Sequence, residues 1–263
     1  MRAIFLALAA TTSTYASADA FNYSSSNPPS IVNTTIEVLP QVYNGHGSVQ
    51  GPLSSVGPLE APFSGSTSLS EPVSSSAALA GGSVTTQGLL RMDASLSGDS
   101  ISAHGALSAT ATLGGGIEGG GSVFSAGQAE FDIPFTLKQS ERITLDLSAS
   151  SSTSLLFSDN AALAQLSGPG NSTILLAQST GTGSQNATWT GVLGPGNYLL
   201  SGSDFYEDFV TAQFNGGNTY VNSESFAFDL RTAPEPGTLA LWMLGLLGLA
   251  AARIRPQRVA ARR

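Results

Sequence analysis

The sequence predicts an all-β protein, an antiparallel sandwich or jelly roll, and three observations carry the prediction. Apolar and polar residues alternate with period two over several stretches, as in half-buried strands. Short runs rich in Gly, Pro and Asn separate those stretches at regular spacing. Cysteine is absent, so disulfide frameworks, thiolate metal sites and cysteine nucleophiles are excluded together, and stability must come from packing and sheet hydrogen bonds.

The chain opens on a secretory signal peptide, residues 1–18. Arg2 is a minimal positive start, residues 3–10 form a short apolar stretch, and Ala16 and Ala18 supply the small side chains that a signal peptidase pocket accepts. Cleavage is expected after Ala18, with Ala20 as the second choice. The apolar run is too short to span a membrane. Its partners are the Sec translocon and signal peptidase.

Residues 19–82 read as a Ser/Pro/Gly-rich lead-in of loop or weak strand. Pro28-Pro29, Pro52, Pro58, Pro62 and Pro72 interrupt it, and only residues 31–32 and 36–39 suggest strand. The β-sandwich body is expected over 83–232. Ile101, Ala103, Gly105, Leu107, Ala109, Ala111 and Leu113 share one face, with Ser102, His104, Ser108, Thr110 and Thr112 on the other. Phe131, Ile133, Phe135 and Leu137 repeat the pattern, as do Ile143, Leu145 and Leu147. Further strands are expected at 154–157, 173–177, 188–193, 198–201, 209–214 and 224–230, separated by turns such as Gly168-Pro169-Gly170-Asn171 and Gly194-Pro195-Gly196-Asn197. The last of these turns, followed by Tyr198, resembles a hairpin common in bacterial extracellular sandwich domains.

The charge pattern excludes one class of partner. Between residues 19 and 236 stand Arg91, Lys138, Arg142 and Arg231 against all 18 acidic residues, a formal charge of -14. Nucleic acid, whose phosphates need a basic footprint, is not a partner of such a surface. No constellation carries catalysis. Gly98-Asp99-Ser100-Ile101 resembles an esterase nucleophile block, but no Asp-x-x-His pair follows it, so a turn is expected there. His46 and His104 stand alone and are assigned no metal. Asp204, Glu207 and Asp208 read as a solvated acidic loop. No cofactor is expected. Trp189 and Tyr206 are the candidate ligand contacts, with Tyr198 beside them.

The C-terminus is the most specific segment. Pro234-Glu235-Pro236 cannot lie inside a helix. An uncharged stretch, 237–252, follows; as a helix it would be roughly 24 Å long, short of about 30 Å of hydrocarbon, with basic residues placed to snorkel. Arg253, Arg255, Arg258, Arg262 and Arg263 set its orientation, tail inside and body outside. Tripeptide, apolar helix and arginine cluster over 233–263 resemble the PEP-CTERM sorting signal of Gram-negative bacteria. The resemblance implies recognition by an exosortase, a membrane-embedded transpeptidase that cuts near Pro234-Glu235-Pro236. It also implies a transient inner-membrane anchor, then a cell-surface or extracellular location, and an association with exopolysaccharide and biofilm. On this reading the protein is a non-enzymatic envelope or matrix protein. A carbohydrate-binding or calcium-dependent adhesin is the alternative, and a secreted hydrolase ranks third.

Overall fold

The computed structural model describes residues 19–44, 47–115, 119–154, 158–213, 217–233 and 245–246. Among them thirteen strands form two antiparallel sheets: β1 (Ser30–Asn44), β2 (Gly47–Gln50), β3 (Ser54–Pro62), β4 (Ser66–Leu79), β5 (Gly82–Leu96), β6 (Ser100–Gly115), β7 (Gly119–Leu137), β8 (Glu141–Thr153), β9 (Ser158–Ser167), β10 (Thr173–Thr180), β11 (Gly183–Leu193), β12 (Gly196–Gln213) and β13 (Asn218–Thr232). One sheet runs β10-β9-β12-β7-β1-β2, with β3 also on β1; the other runs β11-β8-β13-β6-β5-β4. The sandwich expected from the alternation is therefore present.

Alternation decides what each strand buries. On β6, Ile101, Ala103, Leu107, Ala109, Ala111 and Leu113 face the opposing sheet. On β7, Phe131, Ile133, Phe135 and Leu137 do the same, and on β8 Ile143, Leu145 and Leu147. All of these but Ala111 and Leu113 meet in one apolar core that reaches back to Phe21 and forward to Leu230. A second, smaller cluster of Val42, Ala77, Val84, Ala111, Leu113 and Val123 lies towards the other end of the strands. With alanine common in the core, area burial per residue is modest, and long strands compensate by number.

The lead-in is corrected. Most of its described residues are strand and not loop: they supply β1 to β4, and Ile31, Ile36, Val38 and Val73 lie in the main core. Three of the prolines that suggested a break sit on strands paired on one side only. Pro58 and Pro62 belong to β3, which pairs with β1 alone, and Pro72 belongs to β4, which pairs with β5 alone. A strand at an edge tolerates a residue without an N–H. A bulge at Asn33, whose φ is 47°, shifts the β1–β7 register between Val32 and Thr35, so that Ile31 and Thr34, three residues apart, both turn inward.

The acidic loop is corrected too. β12 runs without a break from Gly196 to Gln213, and its side chains alternate: Asp204, Tyr206 and Asp208 point inward, Phe205 and Glu207 outward. The strands expected at 198–201 and 209–214 are parts of this one element; its last residue lies just short of 214. The strand expected at 154–157 falls mostly outside the described residues.

Both ends of the body meet at one turn. The Phe21 amide donates to the Gly98 carbonyl at 3.0 Å, and the Thr232 amide donates to the Asp99 carbonyl at 2.9 Å. The body thus hangs from the β5–β6 end, and the second apolar cluster occupies the far end. The turn is the one expected at Gly98-Asp99-Ser100: the Ser97 amide donates to the Ser100 carbonyl at 2.8 Å, and the Ser97 hydroxyl to Asp99 Oδ1 at 2.6 Å.

Candidate functional site: a polar groove on the outer sheet face

The outward residues of the six-stranded sheet are almost all polar, and register stacks them into rows. Thr188, Asp146, Asp229, Ser102 and Ser95 stand side by side across β11, β8, β13, β6 and β5. The next row is Asn186, Ser148, Ala227, His104 and Asp93. Ala227, the smallest member, leaves the floor low between His104 and Ser148. The two rows bound a groove of about 750 Å³, the size of a pocket for a small ligand or a few sugar units.

Each aspartate is held in place. The Thr188 hydroxyl donates to Asp146 Oδ1 at 2.8 Å. Arg231 Nε donates to Asp229 Oδ1 at 2.6 Å, and its Nη2 donates to Oδ2. The Ser68 hydroxyl donates to Asp93 Oδ1 at 2.6 Å, and Arg91 Nε donates to Asp93 Oδ2 at 2.9 Å. The Ser68 hydrogen bond, helped by the Arg91 guanidinium, holds the Asp93 carboxyl below its ordinary range. Burial moves the His104 imidazole down, against the pull of Asp93, so it is neutral at pH 7. The groove therefore offers fixed carboxylate acceptors among hydroxyl, amide and imidazole groups, with both arginines already engaged. Such a lining suits a polyhydroxylated ligand and not a phosphate. Among the described residues no group of three acidic or histidine side chains could hold a metal ion.

The residues singled out from sequence are distributed differently. His104 stands on the polar sheet face, as its alternation indicated, and lines the groove. Tyr206 is completely buried, so it cannot offer a ring to a ligand at the surface; the surrounding alternation turns it inward. Trp189 is partly buried and packs against the core from the edge strand β11, because it pairs with the inward-facing Leu145. Tyr198 is buried, stacks on Phe135 and donates its hydroxyl to the Gly194 carbonyl at 2.8 Å. Ala16, Ala18, Pro234, Glu235, Pro236 and the five C-terminal arginines lie outside the described residues. Of the 237–252 stretch, Gly245 and Leu246 are described, in a helical turn, and among the described residues no helix is long and apolar enough to cross a membrane. Sequence reasoning missed Asp146 and Asp229 because a lone aspartate on a polar strand face carries no signal until pairing brings it opposite another.

The fold defines a β-sandwich body whose first and last described segments meet at the β5–β6 turn. Residues 232–255 match the PEP-CTERM protein-sorting motif, so the chain carries a PEP-CTERM sorting domain, and that motif implies exosortase-dependent sorting of an exported protein. No curated protein matches the chain. Two solved structures of infectious bursal disease virus show a low likeness. The Gx strain structure is 10% identical over 79% of this chain and 56% of that one, with a TM-score of 0.20. The Gt strain structure is 11% identical over 86% and 78%, with a TM-score of 0.17. The chain spans little more than half the length of the first, and likeness at these scores carries no argument.

Proposed function

We propose that the exported body is a non-enzymatic envelope or matrix protein that engages exopolysaccharide through the groove on the six-stranded sheet. One observation carries the reading. Asp146 and Asp229 stand directly opposite one another in a 750 Å³ groove, each already oriented by a neighbour and ringed by small hydroxyl side chains. Pre-oriented acceptors cost little ordering on binding, and sugar hydroxyls are the donors they fit. The tail supports the rest of the reading: 237–252 anchors the chain transiently in the inner membrane, exosortase acts near Pro234-Glu235-Pro236, and the body reaches the cell surface.

The test is co-sedimentation of the full chain with exopolysaccharide from a producing strain. Asp146→Ala and Asp229→Ala should each weaken binding roughly tenfold, the worth of one good hydrogen bond to a charged group. Retention unchanged in the double variant would remove the groove from the reading, and shortening of the polysaccharide would make the protein an enzyme. A strict calcium requirement for retention would favour the adhesin alternative.

A further inference from the structure

A layer of buried polar side chains crosses the sandwich between its two apolar clusters. β12 contributes Asp204, Tyr206 and Asp208, β13 contributes Asn222 and Glu224, and β9 contributes Asn160; all are within 4% of fully buried. They form a chain: Asn222 Nδ2 donates to Asp208 Oδ2 at 2.5 Å, Asn160 Nδ2 lies 3.5 Å from Asn222 Oδ1, and Asn160 Nδ2 donates to Glu224 Oε1 at 2.9 Å. Asp204 interacts electrostatically with Glu224. Several atoms in the layer have no hydrogen-bond partner: both Asp204 oxygens, Asp208 Oδ1, Glu224 Oε2, Asn160 Oδ1 and the Tyr206 hydroxyl. Three carboxyl groups in such a place cannot all carry charge without a counterion.

A counterion is not at hand. Arg91, Lys138, Arg142 and Arg231 are exposed, and His104 lines the outer groove. The other elements packed on the layer bring neutral groups: Ser125 and Gly127 on β7, Leu107 on β6, Thr86 on β5. Glu37 on β1 adds negative charge near Tyr206. No three acidic side chains converge closely enough to hold a metal among the described residues. The cavity bordered by Asp208, Asn222, Ser125 and Thr86 measures about 10 Å³, room for at most one water and not for a hydrated cation. The proton is what remains.

We propose that this layer is a proton-operated clasp: with Asp204, Asp208 and Glu224 protonated it holds β12 against β13, and their ionisation releases the far end of the sandwich, where the second apolar cluster sits. A protonated carboxyl gains an O–H donor for the orphaned oxygens around it; a carboxylate offers acceptors only. Burial pushes Asp208 up to about 6 and Glu224 up to about 8, and drives Asp204 well above the carboxylate range, with Glu224 adding to the rise. The sign follows. Carboxyls raised in the folded state stabilise it fully below their unfolded values near 4, and that stability is lost as pH climbs through about 6 and then about 8.

The experiment is thermal unfolding and amide protection of the full chain in nonionic detergent from pH 5 to 9. The midpoint should fall by roughly 5–10 °C between pH 5 and pH 8. Protection factors should drop first at Val42, Val84, Leu113 and Val123, ahead of Ile101 and Ile143. Glu224→Gln with Asp204→Asn, which keep shape and remove titration, should flatten the profile and raise the midpoint at pH 8. Glu207→Gln, on the exposed face of β12, should leave the fall intact and so separate the clasp from general charge repulsion. A profile unchanged in the double variant overturns the proposal. So does a rise in midpoint on adding calcium at pH 8, which would assign the layer to a cation instead.

Discussion

The ring of Phe226 on β13 occupies the space that Gly202 on β12 leaves by having no side chain. A β-carbon at Gly202 would stand 2.2 Å from Cδ2 and Cε2 of that ring, and one at Gly105 on β6 would stand 2.3 Å from Cε1. Phe226 is almost wholly buried and meets Phe131 edge to face, with centroids 6.2 Å apart. Two glycines on different sheets thus form the slot for one aromatic ring. Gly202→Ala should destabilise the body by about 1–3 kcal/mol, the usual cost of overpacking a close-packed core. Denaturant unfolding would show it as a lower midpoint with an unchanged slope. A neutral outcome would mean that the ring can turn aside.

Tyr198 tests the turn between β11 and β12. Its ring stacks on Phe135 at 5.4 Å, and its hydroxyl ties back to the Gly194 carbonyl at 2.8 Å. Tyr198→Phe keeps the stack and removes only that bond. The expected loss is about 1 kcal/mol, since folding exchanges a water hydrogen bond for this one. The same unfolding measurement reads it.

Phe21 tests how firmly the segment ahead of β1 is held. Its side chain is 1% exposed and meets Phe135 edge to face at 5.2 Å. Phe21→Ala should cost about 3–5 kcal/mol, as emptying a buried aromatic site does elsewhere. A loss under about 1 kcal/mol would show that the N-terminal segment is only draped on the sandwich.

The long central strands were legible because each buries one face and leaves one wet. Ile101 to Leu113 and Phe131 to Leu137 announce their period directly, and the structure follows it. Three kinds of residue hid the rest. Prolines 58, 62 and 72 argue for loops unless the strand is known to lie at an edge, and edge position is a property of pairing. β9, with Asn160-Ala161-Ala162-Leu163-Ala164, has the composition of a helix; Ala162, Ala164 and Leu166 become strand residues because β10 and β12 take up their backbone groups. Asp204 and Asp208 hid the middle of β12, since charged residues are normally read as outward. Their spacing around Tyr206 was period two all along. The groove was illegible for a related reason: Asp146 and Asp229 are 83 residues apart in sequence, and only the β8–β13 register sets them opposite.

The end of the body tests the sorting tail. β13 is hydrogen-bonded into the sheet up to Thr232, whose amide donates to the Asp99 carbonyl, and the Ala233 amide donates to the Arg142 carbonyl at 2.7 Å. The fold therefore closes one residue before Pro234-Glu235-Pro236. A proline has no N–H to contribute to a further sheet bond, which suits a motif placed directly after the last strand. Cutting within 234–236 should release a body as stable as the full chain, within about 0.5 kcal/mol. Trimming back to Asp229 removes the buried Leu230 together with Arg231, Thr232 and Ala233, and should cost several kcal/mol, because an emptied leucine site alone costs about 2–5. Mass spectrometry of the secreted protein should place its C-terminus near Pro236. A secreted chain that keeps Arg263 would show that the motif is never cut.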